Sequence, residues 1–266
     1  MKLSVERESM KCWICGAPAT TGEHKLKRSL IATINGRGPY QGSNEMSHVL
    51  EDGIRKLQGP DSDLIKYQNV LCAECNNERS QRFDRAYDDF FSFILTNEKE
   101  ILARRIIDLA SVYKTEWRQR QTYLYKYFVK LFGCDLAANG MPVPRDLVAL
   151  LNQDYFLTKL RLHFAVNEDK LLIQNVPARS IGIGSLATTQ RNLKSKTDPH
   201  YVWATYFSFL HVTYMYDWEA QDPIGATWTA NTRYLYLGWI APLTMEQREQ
   251  LRAQQISAGD PQDVNI

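Results

Sequence analysis

The chain has 266 residues, 44% of them hydrophobic and 23% charged, with only 10 Pro and 14 Gly; this excludes collagen-like repeats, low-complexity scaffolds and wholesale disorder. Such a length buries a real core as one large domain or as a small module joined to a larger one, without disulfide staples. Lys plus Arg total 32 against 30 Asp plus Glu, and a balance of +2 neither demands nor forbids a polyanionic partner.

The opening residues, MKLSVERESMKCW, lack the continuous apolar region of a secretory signal, and no charge-free run of about 18 strongly apolar residues reads as a membrane span. A cytoplasmic protein without a membrane role is expected. Four cysteines form two CxxC pairs, Cys12 with Cys15 and Cys72 with Cys75. Each tight turn presents two thiolates, and four soft ligands close the tetrahedral shell of a structural Zn²⁺. The alternatives are two disulfides, disfavoured in a reducing compartment, and a thioredoxin-like redox motif, which needs only one pair in a βαβ setting. Cys134, between Gly133 and Asp135, reads as a small buried hydrophobe.

Glu23 and His24 follow the first knuckle, and Lys25, Lys27 and Arg28 come directly after them, placed to grip a phosphate. The stretch from Lys25 to Leu71 is rich in turn residues, including Asn35-Gly36-Arg37-Gly38-Pro39 and Gly59-Pro60, and reads as an inserted substrate loop with a short helix over 50–57. Asn76 follows the last cysteine; as Asn it suits a helix N-cap, and its amide oxygen also suits a cation. If zinc gathers the knuckles, a carboxylate, an imidazole and an amide oxygen converge. That set suits phosphodiester hydrolysis: the oxygens are hard ligands for Mg²⁺ or Mn²⁺, and an imidazole with a pKa near 6.5 takes a proton from water.

At Cys12, Cys15, Glu23, His24, Asn69, Cys72, Cys75 and Asn76 the sequence resembles the four-cysteine form of the HNH, or ββα-metal, endonucleases, over roughly positions 10–95. The resemblance implies His24 as general base, Glu23 and Asn76 as ligands of the catalytic cation, and Asn69 as the residue that steadies the hairpin holding the base. It also implies a β-hairpin carrying Glu23-His24 and a helix beginning near Asn76 with Asn77, Arg79, Ser80 and Asp84 on its first turns. Glu23 stands where the family more often has Asp, Asn76 replaces its final His, and the Lys25–Leu71 excursion is unusually long for the motif.

Phe83, Tyr87, Phe90, Phe91 and Ile94 recur at helical spacing. A second helical pattern runs from Lys99 to Lys130, with cations including Arg104, Arg118, Arg120, Lys126 and Lys130 that read either as a DNA-backbone contact or as a solvated face. After Met141-Pro142-Val143-Pro144 come a short helix over 146–151 and strand-like segments at 160–166, 170–176, 180–187, 202–216 and 233–240. Arg191, Lys194 and Lys196 sit in an exposed charged loop, and a polar helix starts at Met245. His48, His163, His200 and His211 fall outside any ligand spacing.

The expected class is α+β: a zinc-stapled ββα-metal module with an inserted loop over 1–97, a helical connector over 98–140, and an antiparallel-rich α+β domain over 141–266. The function implied is a metal-dependent HNH endonuclease acting on DNA, the sequence not separating DNA from RNA, with structural Zn²⁺ and catalytic Mg²⁺ or Mn²⁺. The alternatives are a zinc-stapled nucleic-acid-binding or adaptor protein without catalysis, and a zinc module acting through protein contacts alone. One site per chain favours a homodimer for cutting both strands, and the family's presence in restriction and phage-defence systems points to a defence-system partner.

Overall fold

The computed structural model describes residues 10–41, 46–50, 53–153, 158–169, 181–189, 200–217, 227–241 and 243–257. Strand β1, Thr21–His24, is joined by the long insertion to its antiparallel partner β4, Lys66–Leu71. The insertion begins with helix α1, Arg28–Asn35, and continues through a hairpin of β2, Met46–Leu50, and β3, Gly53–Leu57. The helix expected over 50–57 is therefore corrected to a hairpin. Gly53 opens β3 opposite Leu50, and Gly breaks a helix and suits a tight turn between strands. Ile31, Tyr40, Leu57 and Ile65 give the insertion a small core of its own.

After β4 a single wide helical turn, Glu74–Glu78, precedes helix α2, Gln81–Thr96, whose buried stripe is Phe83, Ala86, Tyr87, Phe90, Phe91 and Ile94, as its spacing predicted. The second helical pattern is not continuous. It divides into α3, Glu98–Arg104, β5, Ile106–Asp108, α4, Leu109–Tyr113, and α5, Trp117–Ala138. Arg105 takes φ 55° and ends α3, and the β-branched pair Ile106-Ile107 is drawn into a ladder with β12, Tyr234–Tyr236.

Helix α5 is buried on every side from Leu124 to Leu136, the mark of a central helix. Tyr127 stacks on Tyr87 of α2 at 3.9 Å between ring centres, while Phe128 and Phe132 meet Phe164, Trp203 and Tyr214 of a seven-stranded sheet. Helix α6, Arg145–Asn152, leads into that sheet, built from β6, Leu160–Asn167; β7, Ile181–Ile183; β8, Ala187–Thr189; β9, His200–Phe207; β10, Leu210–Tyr216; β11, Thr227–Trp228; and β13, Gly238–Ile240. Segment 202–216 is a hairpin rather than one strand, reversing at Ser208 with φ 48°. Segment 180–187 divides between β7 and β8, which share an edge of β9. Helix α7, Met245–Ser257, ends the described chain.

The expected strand over 170–176 and the basic residues Arg191, Lys194 and Lys196 lie outside the described residues. The fold is mixed helix and strand, α+β, with its main sheet largely antiparallel. One buried apolar cluster runs from Cys12 and Cys75 through α2 and α5 to Tyr214 and Trp228, so the three expected segments share a core. Among the described residues no helix is long and apolar enough to cross a membrane.

Candidate functional site

The first knuckle is closed by Cys12 N–H donating to Ala17 O at 2.7 Å and Gly16 N–H to Cys12 O at 2.8 Å, with Gly16 at φ 78° supplying the left-handed step. At the second, Asn76 N–H donates to Cys72 O at 3.0 Å. The two turns meet. The sulfurs of Cys12, Cys15, Cys72 and Cys75 all lie within 4.8 Å of one another. Tetrahedral Zn–S bonds of about 2.3 Å place sulfurs about 3.8 Å apart, so the donor set fits a zinc ion. Cys15 Sγ and Cys72 Sγ are 3.6 Å apart and all four cysteines are free, which does not match the two-disulfide alternative. Arg79 donates to Cys75 Sγ at 3.4 Å, a contact of the kind that steadies metal-bound thiolates.

Beside the knuckles, a cleft of about 760 Å³ is lined by Glu23, His24, Lys27, Arg28, Asn76 and Asp84, among others. Pairing of β1 with β4 slips between Thr21 and Glu23, and the extra residues on β4 are accommodated at Asn69, whose φ is 49°. Gly22 is required there, because a Cβ would lie 2.6 Å from Tyr67 O. Asn69 itself is exposed, and its backbone shapes the irregular strand pair on which His24 sits. Successive residues of a strand face opposite sides, so Glu23 turns into the protein while His24 remains partly exposed.

His24 lies beside the backbone carbonyl of Pro60, which acts to raise its pKa, and its Nε2 is buried without a hydrogen-bond partner among the described residues. Asp61 Oδ1 is 3.9 Å from Nε2 and is itself held by Arg28 Nε at 2.7 Å. Burial, then the nearby Lys66, lowers the His24 pKa against the raising influence of Asp61. Asn76 lies within the wide turn, where Arg79 N–H reaches back to Glu74 O; turns of this width recur at functional sites. Its Nδ2 donates to Gly22 O at 3.0 Å and Thr21 Oγ1 at 3.3 Å, which fixes the amide.

Glu23 is 9% exposed, and its Oε2 lies 3.3 Å from Lys130 Nζ. Burial raises the Glu23 pKa, and the Lys130 ammonium pulls it back. Of the residues expected to grip phosphate, Lys27 donates to Asp84 O at 2.7 Å and pairs with Asp88 at 3.1 Å, and Lys25 lies over the Tyr67 ring at 5.6 Å. Arg28 is the exposed one, with 62% of its side chain accessible. The sequence reading missed Lys130 as a partner of Glu23. The signal was there: Lys126 and Lys130 interrupt an otherwise apolar run from Tyr123 to Cys134, and a cation in such a run needs an acceptor. Lys126 finds Gln153 O at 2.8 Å, so for these two lysines both the DNA-contact and the solvated-face readings are corrected.

No protein-family model matches the chain, and no curated protein or solved structure matches it either.

Proposed function

We propose that the protein is a metal-dependent endonuclease of the HNH type, hydrolysing phosphodiester bonds of DNA. One observation carries this reading: an imidazole whose Nε2 has no hydrogen-bond partner among the described residues shares a cleft with a carboxylate and a fixed amide beside four converging thiols. The strand–strand–helix order of β1, β4 and α2 supports it. His24 Nε2 accepts the proton of a water whose oxygen forms the new bond to phosphorus, while the bond to the 3′ oxygen breaks. Its lowered pKa keeps the imidazole in the neutral, proton-accepting form near pH 7. Glu23 and the Asn76 amide oxygen would hold Mg²⁺ or Mn²⁺, which when bound supplies charge stabilisation to the phosphate and the leaving oxygen. Arg28 and Arg37 line the same cleft and suit phosphate contacts.

The test is plasmid nicking with Mg²⁺ or Mn²⁺, with a chelator control. Activity in the wild type that falls at least about a hundredfold in His24→Ala is expected from removal of a general base. A second reading, a zinc-stapled nucleic-acid-binding module without catalysis, draws on the Lys130 ammonium already seated on Glu23. Cation-independent DNA binding without nicking would establish it instead.

A further inference from the structure

Lys130 has 1% of its side chain exposed, and its Nζ lies 3.3 Å from Glu23 Oε2, 3.2 Å from Asp84 Oδ1 and 3.3 Å from Ser80 Oγ. Ser80 Oγ and Asp84 Oδ1 accept hydrogen bonds from the ammonium, and Glu23 Oε2 pairs with its charge. The Tyr127 ring, 5.6 Å away, covers another side. Ser80 also donates to Asn76 O, so the lysine joins β1, which carries Glu23, to the turn that carries Asn76. The two donors assigned to the catalytic cation thus stand on elements tied together by a positive charge that the chain itself provides.

We propose that Lys130 is a built-in competitor for the divalent cation at Glu23: the ion gains that carboxylate only as the ammonium withdraws onto Asp84 and Ser80, and Lys130 thereby sets the cation affinity of the cleft. This rests on the reading of Glu23 and Asn76 as cation ligands. Without an ion, the ammonium neutralises a carboxylate whose burial would otherwise be costly. With one, two positive charges contend for the same oxygens in an interior that screens them poorly. Asp84 and Ser80 give the displaced ammonium acceptors to keep, so it need not enter an apolar space. The cleft is preassembled yet binds its cation weakly, and nicking follows cation concentration rather than saturating at trace levels.

The experiment is Mn²⁺ titration of the full-length protein by electron paramagnetic resonance, comparing wild type, Lys130→Met and Glu23→Gln. Removal of the competing charge is expected to tighten Mn²⁺ by about tenfold or more in Lys130→Met. Glu23→Gln is expected to weaken it. Equal or weaker Mn²⁺ binding in Lys130→Met overturns the proposal. If that variant does not fold, the wild type decides: the Lys130 Cε resonance of ¹³C-lysine-labelled protein, assigned by its loss in Lys130→Arg, is expected to move in step with Mg²⁺ occupancy. A resonance that stays fixed while Mg²⁺ binds is equally fatal to the idea. Mn²⁺ affinity unchanged by Lys130→Met alongside His24-dependent nicking would sink the competition and leave the nuclease standing. No Mn²⁺ binding in any of the three proteins would sink the competition and the assigned ligands together.

Discussion

Asp135 is a carboxyl group that the folded chain treats unevenly. Tyr67 Oη donates to its Oδ1 at 2.9 Å, whereas its Oδ2 is buried with no hydrogen-bond partner among the described residues. Burial pushes its pKa from the ordinary 3.8 up to about 6, against the lowering influence of Tyr67 and of Lys25. A carboxyl raised in the folded state binds its proton more tightly there, so its cost to stability is absent below pH 3.8, grows through the interval to about pH 6, and is complete above it. Asp135→Asn keeps an acceptor for Tyr67 and removes the charge. It is expected to stabilise the protein by about 1–3 kcal/mol at pH 7 and to have little effect near pH 4. Urea denaturation at the two pH values checks this; equal effects at both would show that the charge is not the cause.

Helix α5 meets the first knuckle at two small residues, Gly133 and Cys134. A Cβ at Gly133 would stand 2.3 Å from the Trp13 ring, and Trp13 Nε1 donates to Cys134 Sγ at 3.4 Å. The glycine is there for close approach rather than for its φ. Gly133→Ala is expected to dislodge Trp13 and cost about 1–3 kcal/mol, as overpacking does, with a change in tryptophan fluorescence. Gly59→Ala, whose added methyl meets nothing within 4 Å, is the matched control and should stay within about 0.5 kcal/mol. Chemical denaturation of both variants separates a packing contact from a general intolerance of substitution. The same helix explains why charge spacing misled: Lys126 and Lys130 carry the composition of an exposed cationic face, but both are buried and meet acceptors within the protein.

At the scale of the whole molecule, the four thiols sit at one end of the apolar cluster that continues through α2 and α5 into the sheet. A metal that holds one end of a shared core stabilises all of it. Elemental analysis is expected to show one zinc per chain. A strong chelator, or Cys75→Ser, is expected to lower the Tm by about 10 °C or more, still in a single transition. A chain without zinc, or a Tm indifferent to its removal, would refute the clip. Two separated transitions would show that the sheet folds independently of the knuckles.

How much of this could be read in advance varies with the kind of interaction. Spacing alone located the knuckles, because the pairs Cys12-Cys15 and Cys72-Cys75 state a local geometry that needs only a metal to join them. The buried stripe of α2 was equally legible, since a 3.6-residue period maps directly onto a helix face. Position beside the knuckles and the family resemblance marked Glu23, His24 and Asn76 as residues to watch, and the cleft they share was visible only once β1, β4 and the wide turn were assembled. The break between α3 and α5 was hidden for the opposite reason: β5 exists because β12, far along the chain, pairs with it. Lys130 is the sharpest instance. Local pattern determined that a cation would stand on α5, but whether it met water, phosphate or Glu23 depended on which elements packed around that helix, and long-range packing decides the surroundings of a charge.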